Sequence, residues 1–145
     1  MENIIYAGFW KRFAALIIDS ILLSVVGFVV SFIAGFIFAM SYPMESSGEA
    51  VLSVLTSIIG LALNWVYFAA MESSKMQATL GKLALGIQVA DLNGNRISFA
   101  RATGRYFAKI LSGLILGIGY LMAAFTKRKQ ALHDIIAECL VINRK

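Results

Sequence analysis

The sequence predicts an all-α integral membrane fold: two transmembrane helices, a Gly-interrupted segment that re-enters or forms a third crossing, and a short cytoplasmic β-hairpin. Three observations carry this expectation. Of 145 residues, 59% are hydrophobic and 14% charged, against roughly a quarter charged in a soluble domain, and the mean hydropathy is +0.79. The apolar residues gather in long runs. Apart from Lys109, Lys and Arg lie outside those runs, in the segments that share one side. So little polar surface cannot clothe a small core in water, which makes lipid the missing solvent and excludes disorder. The single cysteine, Cys139, excludes an internal disulfide and a Cys-rich zinc site.

The first span is 13–40, where Asp19 is the only ionisable side chain in a stretch longer than the ~20 residues a bilayer core requires. It is too long for a secretory signal, and no small-residue cleavage site follows it, so it is expected to be retained. The second span is 50–71, uncharged between its ends, with Trp65, Tyr67 and Phe68 toward one end at the level aromatic rings prefer. A third apolar run, 106–125, carries Lys109 inside it and is interrupted by Gly113, Gly117 and Gly119. One domain, 1–145, therefore comprises these spans, a cytoplasmic hairpin over 79–99, an interfacial helix and third run over 100–126, and a tail over 127–145.

Basic residues near span ends stay on the cytoplasmic side. Lys11 and Arg12 precede span one, the loop 41–49 has neither Lys nor Arg, and 72–105 holds Lys75, Lys82, Arg96, Arg101 and Arg105. The N-terminus is thus expected in the cytoplasm and the loop 41–49 on the opposite side. A full third crossing would export a tail containing Lys127, Arg128, Lys129, Arg144 and Lys145, which favours a re-entrant hairpin turning at the glycines.

Small residues recur along one face of each span: Ser20, Ser24, Gly27, Ser31 and Gly35 in the first, and Ser53, Ser57, Gly60 and Asn64 in the second. Close backbone approach holds membrane helices together, so these stripes are expected to face each other. Ser20, Ser57 and Asn64 would then add neutral oxygens to any ion pathway.

Between the spans and the third run, 85–91 and 96–99 flank Asn93-Gly94, a pair that favours a tight hairpin turn. The run Asp91-Leu92-Asn93-Gly94-Asn95 does not space its oxygens as a calcium loop does, and Gly81-Lys82 lacks the Ser or Thr that ends a phosphate-binding loop. Ser98 is the expected N-cap of the next helix. There Arg101, Arg105 and Lys109 recur every four residues as a basic stripe suited to an interfacial helix on anionic lipid or a partner, or to an anion or substrate vestibule. The pI of about 9.6 is thereby accounted for by the inner leaflet, without nucleic acid.

Asp19 lies two turns into span one, where an ionised carboxylate costs at least about 2.5–3.5 kcal/mol. Arg12, seven residues earlier, is roughly 10 Å down the axis, so a partner from elsewhere is expected. The candidates are Asn64, the basic stripe and the tail pair His133-Asp134. His133, Asp134, Glu138 and Cys139 offer at most two metal ligands from one element, and no oxyanion element accompanies Cys139 and His133. Neither a metal, a cofactor nor an enzyme is expected.

Three segments resemble the RDD family of small bacterial membrane proteins, named for one Arg and two Asp residues. Gly8-Phe9-Trp10-Lys11-Arg12-Phe13-Ala14-Ala15-Leu16-Ile17-Ile18-Asp19 is similar to the family's opening. Thr79-Leu80-Gly81-Lys82-Leu83-Ala84-Leu85-Gly86-Ile87-Gln88-Val89 is similar to its centre, and Gln130-Ala131-Leu132-His133-Asp134-Ile135-Ile136-Ala137 to its close. The resemblance spans 6–141 and implies that Arg12, Asp19 and Asp134 are the naming triad. It departs at Glu138-Cys139, where the family usually continues with Gly-Thr. The resemblance implies transport, with cation/proton antiport in some members.

Two functions follow as expectations. One is a small homo- or hetero-oligomeric transporter in which Asp19 takes a monovalent cation or a proton and Arg12 and Asp134 set its charge. The other is a non-transporting accessory protein that binds a partner protein or anionic lipid through Arg101, Arg105 and Lys109.

Overall fold

The computed structural model describes residues 4–41, 46–115 and 117–144. Part of the expected loop 41–49, position 116 of the third run and Lys145 lie outside the described residues.

Two long helices, α1 (Phe9–Ser41) and α2 (Ser46–Ser73), carry the apolar runs over 33 and 28 residues. At 1.5 Å per residue both exceed a hydrocarbon core of about 30 Å. Their large side chains point outward, with Phe28 71% and Leu61 69% exposed, and α1 buries only Ala15 and Asp19. Helices that hold their apolar side chains away from the protein are at rest only in lipid.

The small-residue stripes do not interlock as expected. A methyl group added at Gly27, Gly35 or Gly60 would meet nothing within 4 Å. The serine hydroxyls turn back onto their own helices, Ser24 onto the Ser20 carbonyl and Ser57 onto the Ser53 carbonyl, each at 2.7 Å. A hydroxyl satisfied within its own helix exerts no pull on the neighbouring one. The helices are joined instead at one end, through Asp19 and Tyr67.

That end carries the folded core. After α2 the chain forms α3 (Leu80–Ala84), then strand β1 (Ile87–Asp91), α4 (Phe99–Leu114), α5 (Ile118–Phe125), α6 (Leu132–Ile136) and strand β2 (Cys139–Asn143). Ala7, Ala15, Ala69, Ile87, Val89, Ile97, Ala102, Cys139 and Val141 form one buried cluster beneath the two strands.

The two strands are antiparallel, with Ile87 opposite Asn143, Val89 opposite Val141 and Asp91 opposite Cys139. The turn after β1 forms where Asn93-Gly94 predicts it. Asp91 Oδ1 accepts from the amides of Asn93 and Asn95, both at 2.8 Å, and Gly94 takes a φ of +86°. Residues 96–99 do not pair back, however; the partner strand comes from the tail. The other edge of β1 is occupied by Gln77, whose carbonyl accepts from Val89 N at 2.6 Å, and Ser98 caps α4 by accepting from Arg101 N at 3.2 Å. The N-terminal segment joins the other edge of β2, with Ala7 N donating to the Val141 carbonyl at 2.9 Å.

α4 and α5 meet at a bend of 101°. Gly117 stands in the left-handed region with φ +75°, and Gly119 packs so closely on α4 that a Cβ would lie 2.8 Å from Ser112 Cα. Because β1 precedes α4, β2 follows α6 and the strands pair, the bent helices leave and return at the same end of α1 and α2. The pair is the bent, glycine-broken element that the re-entrant expectation requires. A full crossing would part the strands by the thickness of the bilayer.

Candidate functional site

The charged residues of this end converge from five elements. Arg12 opens α1, Glu72 closes α2, Lys82 lies in α3, Arg105 and Lys109 stand one turn apart in α4, and His133 and Asp134 begin α6. Arg105 is the centre. Its Nε and Nη2 donate to Asp134 Oδ1 at 2.9 and 2.7 Å, and its Nη1 donates to Glu72 Oε2 at 2.5 Å. Asp134 Oδ2 accepts from Arg12 Nη1 and from Ala131 N at 3.1 Å. Glu72 Oε1 accepts from Lys82 Nζ, while Lys109 Nζ stands 3.5 Å from that oxygen and 4.2 Å above the Phe68 ring. Arg105, Glu72 and Asp134 are each 2% exposed or less. At that burial each charge must be answered by another, because an unpaired one costs several kcal/mol.

Asp19 is buried beside this network but is not part of it. Its Oδ1 accepts from the Tyr67 hydroxyl and from Gly81 N, each at 2.8 Å, and its Oδ2 from the Thr79 hydroxyl at 2.6 Å. All three donors are neutral. Gly81 is required here because a Cβ would lie 2.2 Å from the Ala15 carbonyl oxygen and 2.9 Å from Asp19 Cγ. The α3 backbone therefore approaches α1 closely enough to give its amide to the carboxylate.

The three residues of the expected triad thus separate into a pair and a single. Arg12 and Asp134 meet; Asp19 bonds to Tyr67, Thr79 and Gly81 instead. Asn64 does not reach Asp19, since its Oδ1 accepts from the Tyr106 hydroxyl at 2.9 Å. Ser20 and Ser57 are exposed on their helices, away from the site. The basic stripe is also divided. Arg101 remains outside, in a loose 3.9 Å pair with Glu138, whereas Arg105 and Lys109 turn inward to Glu72 and Asp134, the reverse of the lipid-facing arrangement expected for them. A helix with two carboxylates on one side and lipid on the other places its cations where the charge is.

Glu72 and Lys82 are members that sequence reasoning missed. Glu72 reads as the polar end of a span, and Lys82 as the residue of a failed phosphate loop. An acidic residue closing an apolar run that is answered by a separate basic stripe is the signal available for Glu72.

Burial penalises the Asp134 carboxylate, yet the charge of Arg105 beside it, with Arg12, outweighs that and holds its carboxyl well below the usual range. His133 is pushed down to about 3, chiefly by burial. It is therefore neutral at ordinary pH and adds no charge to Asp134, although its Nε2 lies 3.5 Å from Asp134 Oδ1. Burial likewise lowers the Lys82 ammonium against the pull of Glu72. Among the described residues no group of three or more His, Cys, Asp or Glu side chains is placed to hold a metal ion.

The network and Asp19 border one cavity of about 340 Å³, with walls from α1 to α6 and β2. Arg12, Asp19, Lys82, Arg105, Lys109 and His133 contribute its polar lining. Phe9, Phe13, Leu16, Phe68, Leu121 and Val141 contribute much of its apolar lining.

A model of the RDD family matches residues 6–138. The chain is similar to two proteins of Bacillus subtilis (strain 168). It is 38% identical to the uncharacterized protein YxaI, over 94% of this chain and 96% of that protein. It is 34% identical to the uncharacterized membrane protein YteJ, over 97% of this chain and 82% of that protein. No solved structure matches.

Proposed function

Because this chain belongs to the RDD family of membrane proteins, we propose that its buried charges serve transport across the bacterial cytoplasmic membrane, with the N-terminus inside. In this reading Asp19 is the group that exchanges a proton for a monovalent cation. The observation that supports it most is that Asp19 is buried among neutral donors alone, while every neighbouring carboxylate is matched by Lys or Arg. The hydroxyls of Tyr67 and Thr79 can rotate their protons away and present lone pairs. These two hydroxyls therefore suit an ionised carboxylate, a protonated one, or a carboxylate with a small cation beside it. Arg12, Arg105 and Asp134 would form the fixed frame around this group, since their mutual pairs leave neither carboxylate oxygen of Asp134 free. A chain with two full spans and one re-entrant pair encloses little by itself, so a homo- or hetero-oligomer belongs to this reading.

The test is flux in proteoliposomes containing the full-length protein under an imposed pH gradient. Sodium- or potassium-dependent collapse of the gradient is expected, and Asp19→Asn should abolish it while the protein still elutes as the wild type does. Exchange that continues unchanged in Asp19→Asn removes Asp19 from the mechanism. Absence of any flux in the wild type overturns transport and leaves the accessory reading, in which the exposed Arg101 binds a partner or lipid.

A further inference from the structure

We propose that the cavity beside Arg12 and Lys109 is a binding site for an anionic amphiphile that enters sideways from the bilayer, with its charged head on those two side chains and its hydrocarbon on the phenylalanines and leucines of the wall. The site goes beyond the exchange reading and does not depend on it.

Charge is the first argument. In the ion-pair network four cations, Arg12, Lys82, Arg105 and Lys109, answer two carboxylates, Glu72 and Asp134. With Asp19 included, four basic side chains face three carboxylates among the described residues that border the site, and Lys109 is the most weakly paired of the four, at 3.5 Å from Glu72. A buried excess of charge is unfavourable unless a counter-charge joins it.

Two donors have capacity to spare. Arg12 Nη2 is buried and has no hydrogen-bond partner among the described residues, an unfavourable state for a buried donor. Lys109 Nζ has three donors, yet its contacts are one carboxylate oxygen at 3.5 Å and the Phe68 ring. Both residues line the cavity. Lys82 and Arg105 also line it but are committed to Glu72 and Asp134.

The walls select the rest of the ligand. A free inorganic anion would be poorly matched to a cavity bounded by Phe9, Phe13, Leu16, Phe68 and Leu121. Phe13, Leu16 and Leu121 also stand 44%, 38% and 47% exposed on the outer surface of the helices, the surface that the apolar character of α1 assigns to lipid. The mouth is thus hydrocarbon-facing while the interior is cationic. A head-and-tail anion satisfies both, and its tail remains in the bilayer.

Native mass spectrometry of the full-length protein in neutral detergent, titrated with phosphatidylglycerol, phosphatidylcholine, myristate and inorganic phosphate, tests this. One phosphatidylglycerol or one myristate per chain should bind at least tenfold more tightly than phosphatidylcholine, with inorganic phosphate weaker than either. Phosphatidylglycerol alone would identify a bilayer lipid as the source of the head; equal binding of myristate would identify a single-chain acid. Lys109→Gln should lower anionic binding about tenfold without altering phosphatidylcholine. Leu121→Trp, at a half-exposed position that leaves the charges in place, should block the mouth, and Arg96→Gln, exposed and outside the cavity, should change nothing. Equal affinity for the anionic and zwitterionic lipids, or wild-type binding in both Lys109→Gln and Leu121→Trp, overturns the proposal. Because this readout requires no flux, its failure and the failure of exchange are separate results.

Discussion

Arg105 approaches Asp134 side-on, with Nε and Nη2 at 2.9 and 2.7 Å from the same carboxylate oxygen across 29 residues of chain. Its third nitrogen is thereby aimed at Glu72. One guanidinium thus ties the close of α2 to the start of α6 through the middle of α4, and the planar fork makes this double role available to Arg and not to Lys.

Arg105→Met should therefore leave two buried carboxylates short of a partner and cost about 3–5 kcal/mol. Arg105→Lys keeps the charge, cannot serve both carboxylates, and should fall between Met and the wild type. Thermal unfolding in detergent, followed by loss of helical circular dichroism, orders the three proteins. Equal melting of wild type and Arg105→Lys would show that bridging contributes nothing.

Gly81→Ala should be far more damaging than Gly86→Ala. The first drives a methyl group to within 2.2 Å of the Ala15 carbonyl oxygen, so α3 must withdraw its amide from Asp19, at a cost of 1–3 kcal/mol or more (about the range of overpacked cores). The second has open space around it and meets only the strain of φ +63°, about 1 kcal/mol. Folded yield after detergent extraction of the two variants distinguishes the cases.

Stability should fall as the pH is lowered from about 6.5 toward 3. In the fold the His133 imidazole is pushed down to about 3 from 6.5 by burial, so within this window the unfolded chain binds a proton that the folded chain does not. The loss for one such site is at most about 1.4 kcal/mol per pH unit. Asp134 acts in the same direction, but only below about 4. Its folded carboxyl is held lower than 3.8, so its contribution is complete above that value and disappears with further acid. His133→Gln should flatten the dependence between pH 6.5 and 4 and leave the acid limb. A wild-type melt that is flat between pH 7 and 4 would contradict this account.

Cys139 should resist alkylation in the folded protein. It is fully buried, and burial pushes its thiol up to about 11, so thiolate is scarce and access is closed. Maleimide labelling in mild detergent should be slow and become rapid after denaturation. Rapid labelling of the native protein would mean that β2 opens readily.

Reporters fused at the two ends should lie in the same compartment. Ala7 N donates to Val141 O, and Tyr6 bridges Ile142, so the N-terminal segment and the tail share one small sheet edge. Opposite locations would require this pairing to break and 106–125 to cross.

Much was legible in the sequence for a simple reason: lipid imposes length and composition on a helix without reference to its neighbours. The two spans, the glycine-broken third run, the turn at Asn93-Gly94 and the Ser98 cap each follow from local rules, as does the requirement that Asp19 be bonded within the protein. The periodicity of Arg101, Arg105 and Lys109 was equally plain, but not which way it faced. A one-face stripe reads the same whether lipid headgroups or buried carboxylates meet it, and Glu72 and Asp134 are far from it in sequence.

Amino-acid order alone determined a membrane chain with a carboxylate inside its first helix, because hydrophobic length and isolated charge are properties of single segments. Tertiary structure decided which partners those charges take. It sent Arg12 to Asp134, gave Asp19 to Tyr67, Thr79 and Gly81, and paired β1 with the tail rather than with 96–99. Those choices depend on which edges and charges the other elements leave unfilled, and that competition is settled only when all of them pack together.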